Sequence, residues 1–387
     1  MTFQTQTPPS GPSSTEALRA EALRAEVRAF LKEELGSRTP AQRAESWNGF
    51  DTGFSRRLGA RGWIGMALPA RYGGGERTMA ERYVVLEELL AAGAPVMAHW
   101  IADRQSGALL LRYGNEEQRR TILPKIASGE CYFCIGMSEP DAGSDLAAVR
   151  CRARKVEGGY LINGTKLWTS NAHRSHYMIL FCRTDSADSD NRHGGMSQFL
   201  IDMTTPGLSI RPVVSLAGEH HFNEVTFTDV TVSDEALLGR EGDGWAQVTS
   251  ELTLERSGPE RFLSSFQTVV ELARGLRGAP DAAGTAALGR IAAHLVTLRA
   301  MSMGVSRLID QGEDPAIQAA LVKDLGAVLE QEIPDIVRLI LGVEARQDDP
   351  ALAGCLATTI LAAPSFSLRG GTREILRGII ARGLGLR

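Results

Sequence analysis

The chain has 387 residues and a formal net charge of −4, with 42 Lys and Arg against 46 Asp and Glu. That length suits two or three domains with a large core, and the near-balance of charge excludes the basic footprint of a nucleic-acid binder. No apolar run reaches the length of a membrane span, and five cysteines in so long a chain do not read as a disulfide framework. A reduced, cytoplasmic compartment fits this cysteine usage.

The opening MTFQTQTPPSGPSST has no charged region ahead of an apolar core, so residues 1–12 read as a mobile arm and not as a secretion signal. Ser13 to Glu16 have the spacing of a capping box, with Ser13 as N-cap and Glu16 reaching back. Residues 17–34 follow with a helical period: Leu18, Leu23, Val27, Phe30 and Leu31 lie mostly on one side, and Gly36 and Pro40 stop the run. Further helices are expected over 50–58, 80–92, 95–113 and 116–127, the last broken at Pro124. A Pro- and Gly-rich loop spans 63–76. Together these make an N-terminal helical domain over 13–129.

From Glu130 short β-branched runs replace the long helical ones. Strands are expected over 132–137, 149–156, 160–162, 177–182, 198–202, 208–214 and 223–230. Turn signals at regular intervals argue for a β-barrel or sandwich over 130–236. Asn163-Gly164 carries the strongest short hairpin signal, and 185–195 reads as an exposed hairpin loop. Beyond Gly239 helical texture returns over 245–273, 286–310, 315–341 and 351–367, with a loop at 275–284. Four long helices over 237–387 fit an antiparallel bundle. The fold class is therefore α+β multidomain: helical domain, β-barrel or sandwich, four-helix bundle. No Rossmann G-x-G-x-x-G and no P-loop occurs.

The most informative stretch is 136–170, GMSEPDAGSDLAAVRCRARKVEGGYLINGTKLWTS. Its turn SEPDAGSD is rich in small residues whose free backbone N–H groups suit an anion. SEPDAGSD resembles the T/S-E-P-x-A-G-S-D of the acyl-CoA dehydrogenases, LINGTKLWTS resembles their I-N-G-x-K-x-W-x-T/S, and the tail GGTREILRGII resembles their G-G-T-x-E-I-x-R-x-I-I. The likeness keeps its order from about Glu26 to the C-terminus. It implies a helix, β, helix-bundle architecture with FAD held between the β-domain and the bundle. It also implies dehydrogenation of an acyl-CoA thioester at Cα–Cβ, with electrons passed to an electron-transfer flavoprotein.

That chemistry needs a base for the α-proton, a flavin for the β-hydride, and donors for the enolate-like oxygen. Families of this type place the basic Glu just before the G-T of the tail, where this chain has Gly370, or on the first bundle helix in a segment like Leu254-Glu255-Arg256. The resemblance thus makes Glu255 the base, with Gly370 leaving room for its carboxylate and keeping a backbone donor. Burial beside an acyl chain is expected to raise its pKa. Glu251, one turn earlier, is a candidate partner, and Glu260 a weaker candidate base. The resemblance implies flavin contacts at Met137, Ser138, Trp168, Ser170, Gly371, Thr372 and Glu374. Trp168 as a plain core residue is the alternative. Ser144 and Arg256 are candidates for the CoA portion, Arg256 because a guanidinium meets phosphate bidentately. Arg373 and Arg377 read as solvated charges.

Two family segments that reach a neighbouring subunit's flavin, R-x-x-F and Q-x-x-G-G-x-G, are missing; the matching regions read RGLRGAPDAAGT and LGVEARQDD. A homodimer or homotetramer is expected, and a hetero-oligomer stays open. So do two other functions: a non-catalytic partner subunit, and a flavin oxidase or monooxygenase on the same scaffold. The acyl chain is not specified by the sequence. No metal is expected. His220 and His221 point to opposite faces of a strand, and Cys131 and Cys134 form a single C-x-x-C in an apolar run. His99, Trp100, Asp103 and Arg104 are a polar cluster on an apolar helix, read either as the acyl end of a cavity or as a buried ion pair.

Overall fold

The computed structural model describes residues 14–185, 191–278, 281–341 and 349–386. The arm at 1–12 and the proposed N-cap Ser13 lie outside the described residues. Helix α1 (Ser14–Glu34) buries Val27, Phe30 and Leu31, the apolar side expected from their spacing. A short helix absent from the sequence reading, α2 (Pro40–Ala44), begins on a capping box in which Thr39 and Gln42 satisfy each other's backbone N–H. Asp51 caps α3 (Thr52–Ala60), and a Thr78–Glu81 box opens α4 (Met79–Ala91).

The single helix expected over 95–113 is in three pieces: α5 (Met97–Ile101), a π-helical turn (Ala102–Ser106) and α6 (Gly107–Tyr113). Helix α7 (Glu116–Ala127) runs unbroken through Pro124. The proline sits close to the C-terminal end, so it removes one backbone bond without stopping the last turn.

The strands are β1 (Phe133–Gly136), β2 (Arg152–Val156), β3 (Gly159–Ser170), β4 (Tyr177–Arg183), β5 (Met196–Asp202), β6 (Leu208–Val214), β7 (His220–Ser233) and β8 (Leu237–Leu238). Their order is β6-β7-β3-β2-β4-β5-β8, with β1 parallel beside β4. A single residue pair, Arg152 with Arg183, links β2 to β4, so the sheet acts as two halves that face each other. Tyr160 on β3 meets Phe199 on β5 edge to face at 4.8 Å inside that core. The hairpin turn lies at Gly158, not at Asn163-Gly164: Val156 pairs with Gly159, and β3 continues through Asn163 as a bulge. Two features override the local turn preference. Asn163 exchanges side-chain bonds with Asp229, and Gly164 presses so close to Cys151 that a Cβ would stand 2.6 Å from its Cα.

Helices α8 (Gly244–Ser257), α9 (Phe266–Gly278), α10 (Ala282–Asp310), α11 (Ala316–Leu341), α12 (Pro350–Phe366) and α13 (Arg373–Gly383) complete the chain. The helix expected over 245–273 is thus two helices, separated at Gly258 and a 3-10 turn Pro259–Arg261. Proline's missing N–H and fixed φ account for the stop. Most of the LGVEARQDD region lies outside the described residues. Helix α13, unread in the sequence, is tied to α11 through Asp324: Arg373 donates to it at 2.7 Å and is not the solvated charge expected, while Arg377 lies 3.6 Å from it and stays 62% exposed, as expected of a solvated charge.

One apolar core runs through the N-terminal helices and the bundle together, from Val27, Leu58 and Leu89 to Leu272 and Ile333. The two faces of the sheet enclose a separate core around Ile162, Phe199 and Val225. Among the described residues no helix is long and apolar enough to cross a membrane.

Candidate active site

Helix α8 delivers three ionisable side chains to the junction with the tail. Glu251 and Glu255 lie one turn apart, and Arg256 is buried beside them. The tail approaches as Arg369-Gly370-Gly371-Thr372, with Gly370 at φ +71° and Gly371 at φ +100°. Arg256 is taken up by this tail: its Nε donates to the Gly370 carbonyl at 2.9 Å. A Cβ at Gly370 would stand 3.5 Å from Glu255 Oε1 and 3.2 Å from Arg261 Nη2. The Glu255 carboxylate therefore lies against the space that a side chain at 370 would fill.

Glu255 is 16% exposed and is held by two arginines: Arg261 Nη2 donates to its Oε1 at 3.0 Å, and Arg104 Nη2 is 3.7 Å away. Burial pushes its pKa up, but Arg104, Arg261 and Arg256 outweigh burial and leave it below the usual carboxylate range. The expected rise is overturned, because the sequence reading supplied the burial without the arginines. Arg104 comes from the π-helical turn, a feature often found at functional sites. It also bonds Glu260 at 3.2 Å, so Glu260 is a buried ion-pair partner. Of the polar cluster at 99–104, Arg104 faces Glu255, Asp103 pairs with Arg82 at 2.6 Å, and His99 Nδ1 contacts Ser55 at 2.8 Å.

Glu251 turns toward the sheet. Gln198 on β5 donates to its Oε1 at 2.7 Å, while Oε2 is sealed from solvent without a partner among the described residues. Burial raises its pKa to about 7.

On the β side, Met137 and Ser138 leave the end of β1. The Met137 carbonyl accepts from Lys166 Nζ at 2.9 Å, and the Ser138 carbonyl from the Leu167 N–H at 2.9 Å. Trp168 has φ +61° and is 56% exposed, with its edge against Phe222. The core reading of this indole is excluded. Ser170 closes β3 half-buried, Ser144 is exposed in the SEPDAGSD turn, and Glu374 is exposed as the second residue of α13, after Thr372 at the N-cap position.

The family models of the acyl-CoA dehydrogenase N-terminal, middle and C-terminal domains match residues 18–130, 134–230 and 242–385. "Acyl-CoA dehydrogenase IpdE1" of Mycobacterium tuberculosis is 30% identical over 383 residues, covering 95% of this chain and 97% of its own. The chain belongs to the acyl-CoA dehydrogenase family. Among solved structures, the "Tcur3481-Tcur3483 steroid ACAD" is 27% identical with TM-score 0.86, covering 98% of this chain and 99% of that one. The ChsE4-ChsE5 complex from Mycobacterium tuberculosis is 28% identical with TM-score 0.82, covering 98% and 100%.

This acyl-CoA dehydrogenase is an oxidoreductase, and the cofactor of its family is FAD. The residues present fit that group. Trp168 is held outward by a left-handed backbone that a bulky residue rarely adopts, so a large ring face stands bare where a flat ring could lie. On the tail, Gly370 and Gly371 present no side chain.

Sequence reasoning missed what builds this dehydrogenase's SEPDAGSD turn. The Glu139 carboxylate accepts from the backbone N–H groups of Arg150 and Cys151, at 2.7 and 2.9 Å, and pairs with the fully buried Lys166 at 2.8 Å. The signal was Lys166 itself, a charge at an inward position of a strand. Among the described residues no group of three His, Cys, Asp or Glu could hold a metal. Cys131 and Cys134 are buried thiols pushed up to about 12 by burial, and His220 stacks on His173 at 3.9 Å.

Proposed function

We propose that this chain carries out FAD-dependent α,β-dehydrogenation of an acyl-CoA thioester, with Glu255 as the base for the α-proton. The observation that supports the reading most is the fit between Glu255 and Gly370: the carboxylate comes from α8 and lies against the space a tail side chain would occupy. Gly370 leaves that space open and offers its backbone N–H to the thioester oxygen, where charge develops. Arg256 holds the tail in register through the Gly370 carbonyl. When bound, FAD supplies the acceptor for the β-hydride at N5, which no side chain can provide. Met137, Ser138, Trp168, Ser170, Gly371, Thr372 and Glu374 would hold it, and Ser144 would meet the CoA portion. The redox partner in this reading is an electron-transfer flavoprotein. Glu255→Gln is expected to keep flavin and to lose anaerobic bleaching by acyl-CoA, read from the visible spectrum; bleaching at the normal rate would remove Glu255 from the role.

A second reading has specific support. Arg104 and Arg261 pin the carboxylate and, with Arg256, hold its pKa down, which works against Glu255 as a base in the isolated chain. Two of the similar structures carry paired names, ChsE4-ChsE5 and Tcur3481-Tcur3483. In this reading the chain works as one subunit of a mixed dehydrogenase and reacts only with its companion chain. Flavin content and bleaching, compared for the chain purified alone and co-expressed with a companion, separate the two readings.

A further inference from the structure

The junction around Glu255 is unbalanced in charge. Five cationic side chains crowd it: Arg104, Arg256, Arg261, Lys323 and Arg369. They meet three carboxylates, Glu255, Glu260 and Glu330, while the adjacent Glu251, its pKa raised to about 7 by burial, turns toward the sheet. Lys323 registers the excess. Burial, then Arg261 and Arg369, push its ammonium down to about 7.

The same cluster holds donors with nothing to donate to. Nη1 of Arg261 and both Nε and Nη1 of Arg369 are closed off from solvent and meet no acceptor among the described residues. Trp47 and Phe366 stand on Arg369, each ring centroid 4.5 Å from its Cζ. Aromatic rings cover the faces of a guanidinium, whereas its in-plane N–H groups call for an anionic oxygen. Buried polar groups are nearly always paired; Glu260 Oε2 is unpaired in the same cluster, and three unpaired nitrogens against that one oxygen point to an absent acceptor.

The cluster adjoins the proposed reacting centre. Arg369 immediately precedes Gly370, and Arg261 Nη2 both touches Glu255 and lies 3.2 Å from the empty Cβ position of Gly370. The Glu255 and Arg369 side chains keep 16% and 15% exposure, so the cluster is open at that edge.

We infer that this cluster selects an acyl thioester whose acyl portion carries a second, anionic group, a carboxylate. The inference rests on placing Glu255 at the reacting centre. The carboxylate supplies the acceptor that Arg261 and Arg369 lack. It also gives Arg261 a second anionic partner, which loosens the hold on Glu255 and returns basicity to it. Recognition of the substrate and priming of the base are then one event.

The test is calorimetric titration of the flavin-loaded protein with length-matched pairs, butyryl-CoA against succinyl-CoA and hexanoyl-CoA against adipoyl-CoA. The carboxylated member is expected to bind about tenfold tighter or more, the range of hydrogen bonds to charged groups. Arg369→Gln should shrink that ratio to near one, and Arg261→Gln is the second variant should the first fail to fold. If neither folds, the wild-type ratios decide. Equal or weaker binding of the carboxylated members overturns the inference and assigns the missing acceptor to a companion chain. Glu255→Gln separates this from the base assignment: it should keep the binding preference while losing flavin bleaching. Bleaching by that variant would sink the base and leave the measured preference to be judged by itself.

Discussion

At the residue scale, two glutamates one turn apart are tuned in opposite directions. Glu251 is buried with an oxygen unpaired and a pKa near 7. An acid whose folded pKa is raised binds its proton more tightly in the fold, so its contribution to stability is lost as pH rises from the unfolded value through about 7. Glu251→Gln should therefore raise the melting temperature more at pH 8 than at pH 5, a difference of about 2–3 kcal/mol at most. An equal effect at both pH values would refute the raised pKa. Glu255 runs the other way: its lowered pKa adds stability above the unfolded value, lost as pH falls through the folded one. Removing one arginine should weaken that effect. Arg104→Gln is expected to move the acid limb of flavin bleaching up by about one unit, the scale of a single opposite charge nearby. Glu255 was legible from Leu254-Glu255-Arg256 and the glycine at 370. The hold of Arg104 on it was not, because Arg104 arrives from a distant π-helical turn that no spacing announces.

At the element scale, the three-part order of helices, strands and helices was legible from texture, and most errors fell at junctions. The break at Gly258-Pro259 was written in the sequence and underweighted against a long apolar period. Asn163-Gly164 was the opposite case. Its local preference for a turn was genuine, but pairing of Asn163 with Asp229 and the close pass of Gly164 over Cys151 turned it into a bulge in β3. Gly164→Ala tests this account. At φ +146° with a Cβ 2.6 Å from the Cys151 Cα, the variant should lose about 2 kcal/mol or more in denaturant unfolding. A loss well below that would contradict the close pass of Gly164 over Cys151. Helix α13 escaped notice because its tail residues were read only as a motif, although Arg373 docks it on Asp324.

At the scale of the whole molecule, the bundle leaves large apolar side chains in solvent, among them Leu339, Leu361, Leu368, Leu384 and Leu386. Apolar side chains of this size left in solvent are what a contact with another subunit would cover. Light scattering should give a native mass at least twice that of one chain, and Leu368→Arg should lower the associated fraction; a monomer at micromolar concentration would contradict the reading. The distribution of the two cores has a practical outcome for engineering. The middle sheet has an interior of its own around Ile162, Phe199 and Val225, but its other face packs on the helices through Phe133, Ile179 and Leu238 and on Val248 of α8 through Phe181, so it can be traded between relatives only with that face kept. The C-terminal helices share their interior with the N-terminal ones, and a chimera that takes one set without the other would inherit half of a mismatched jigsaw.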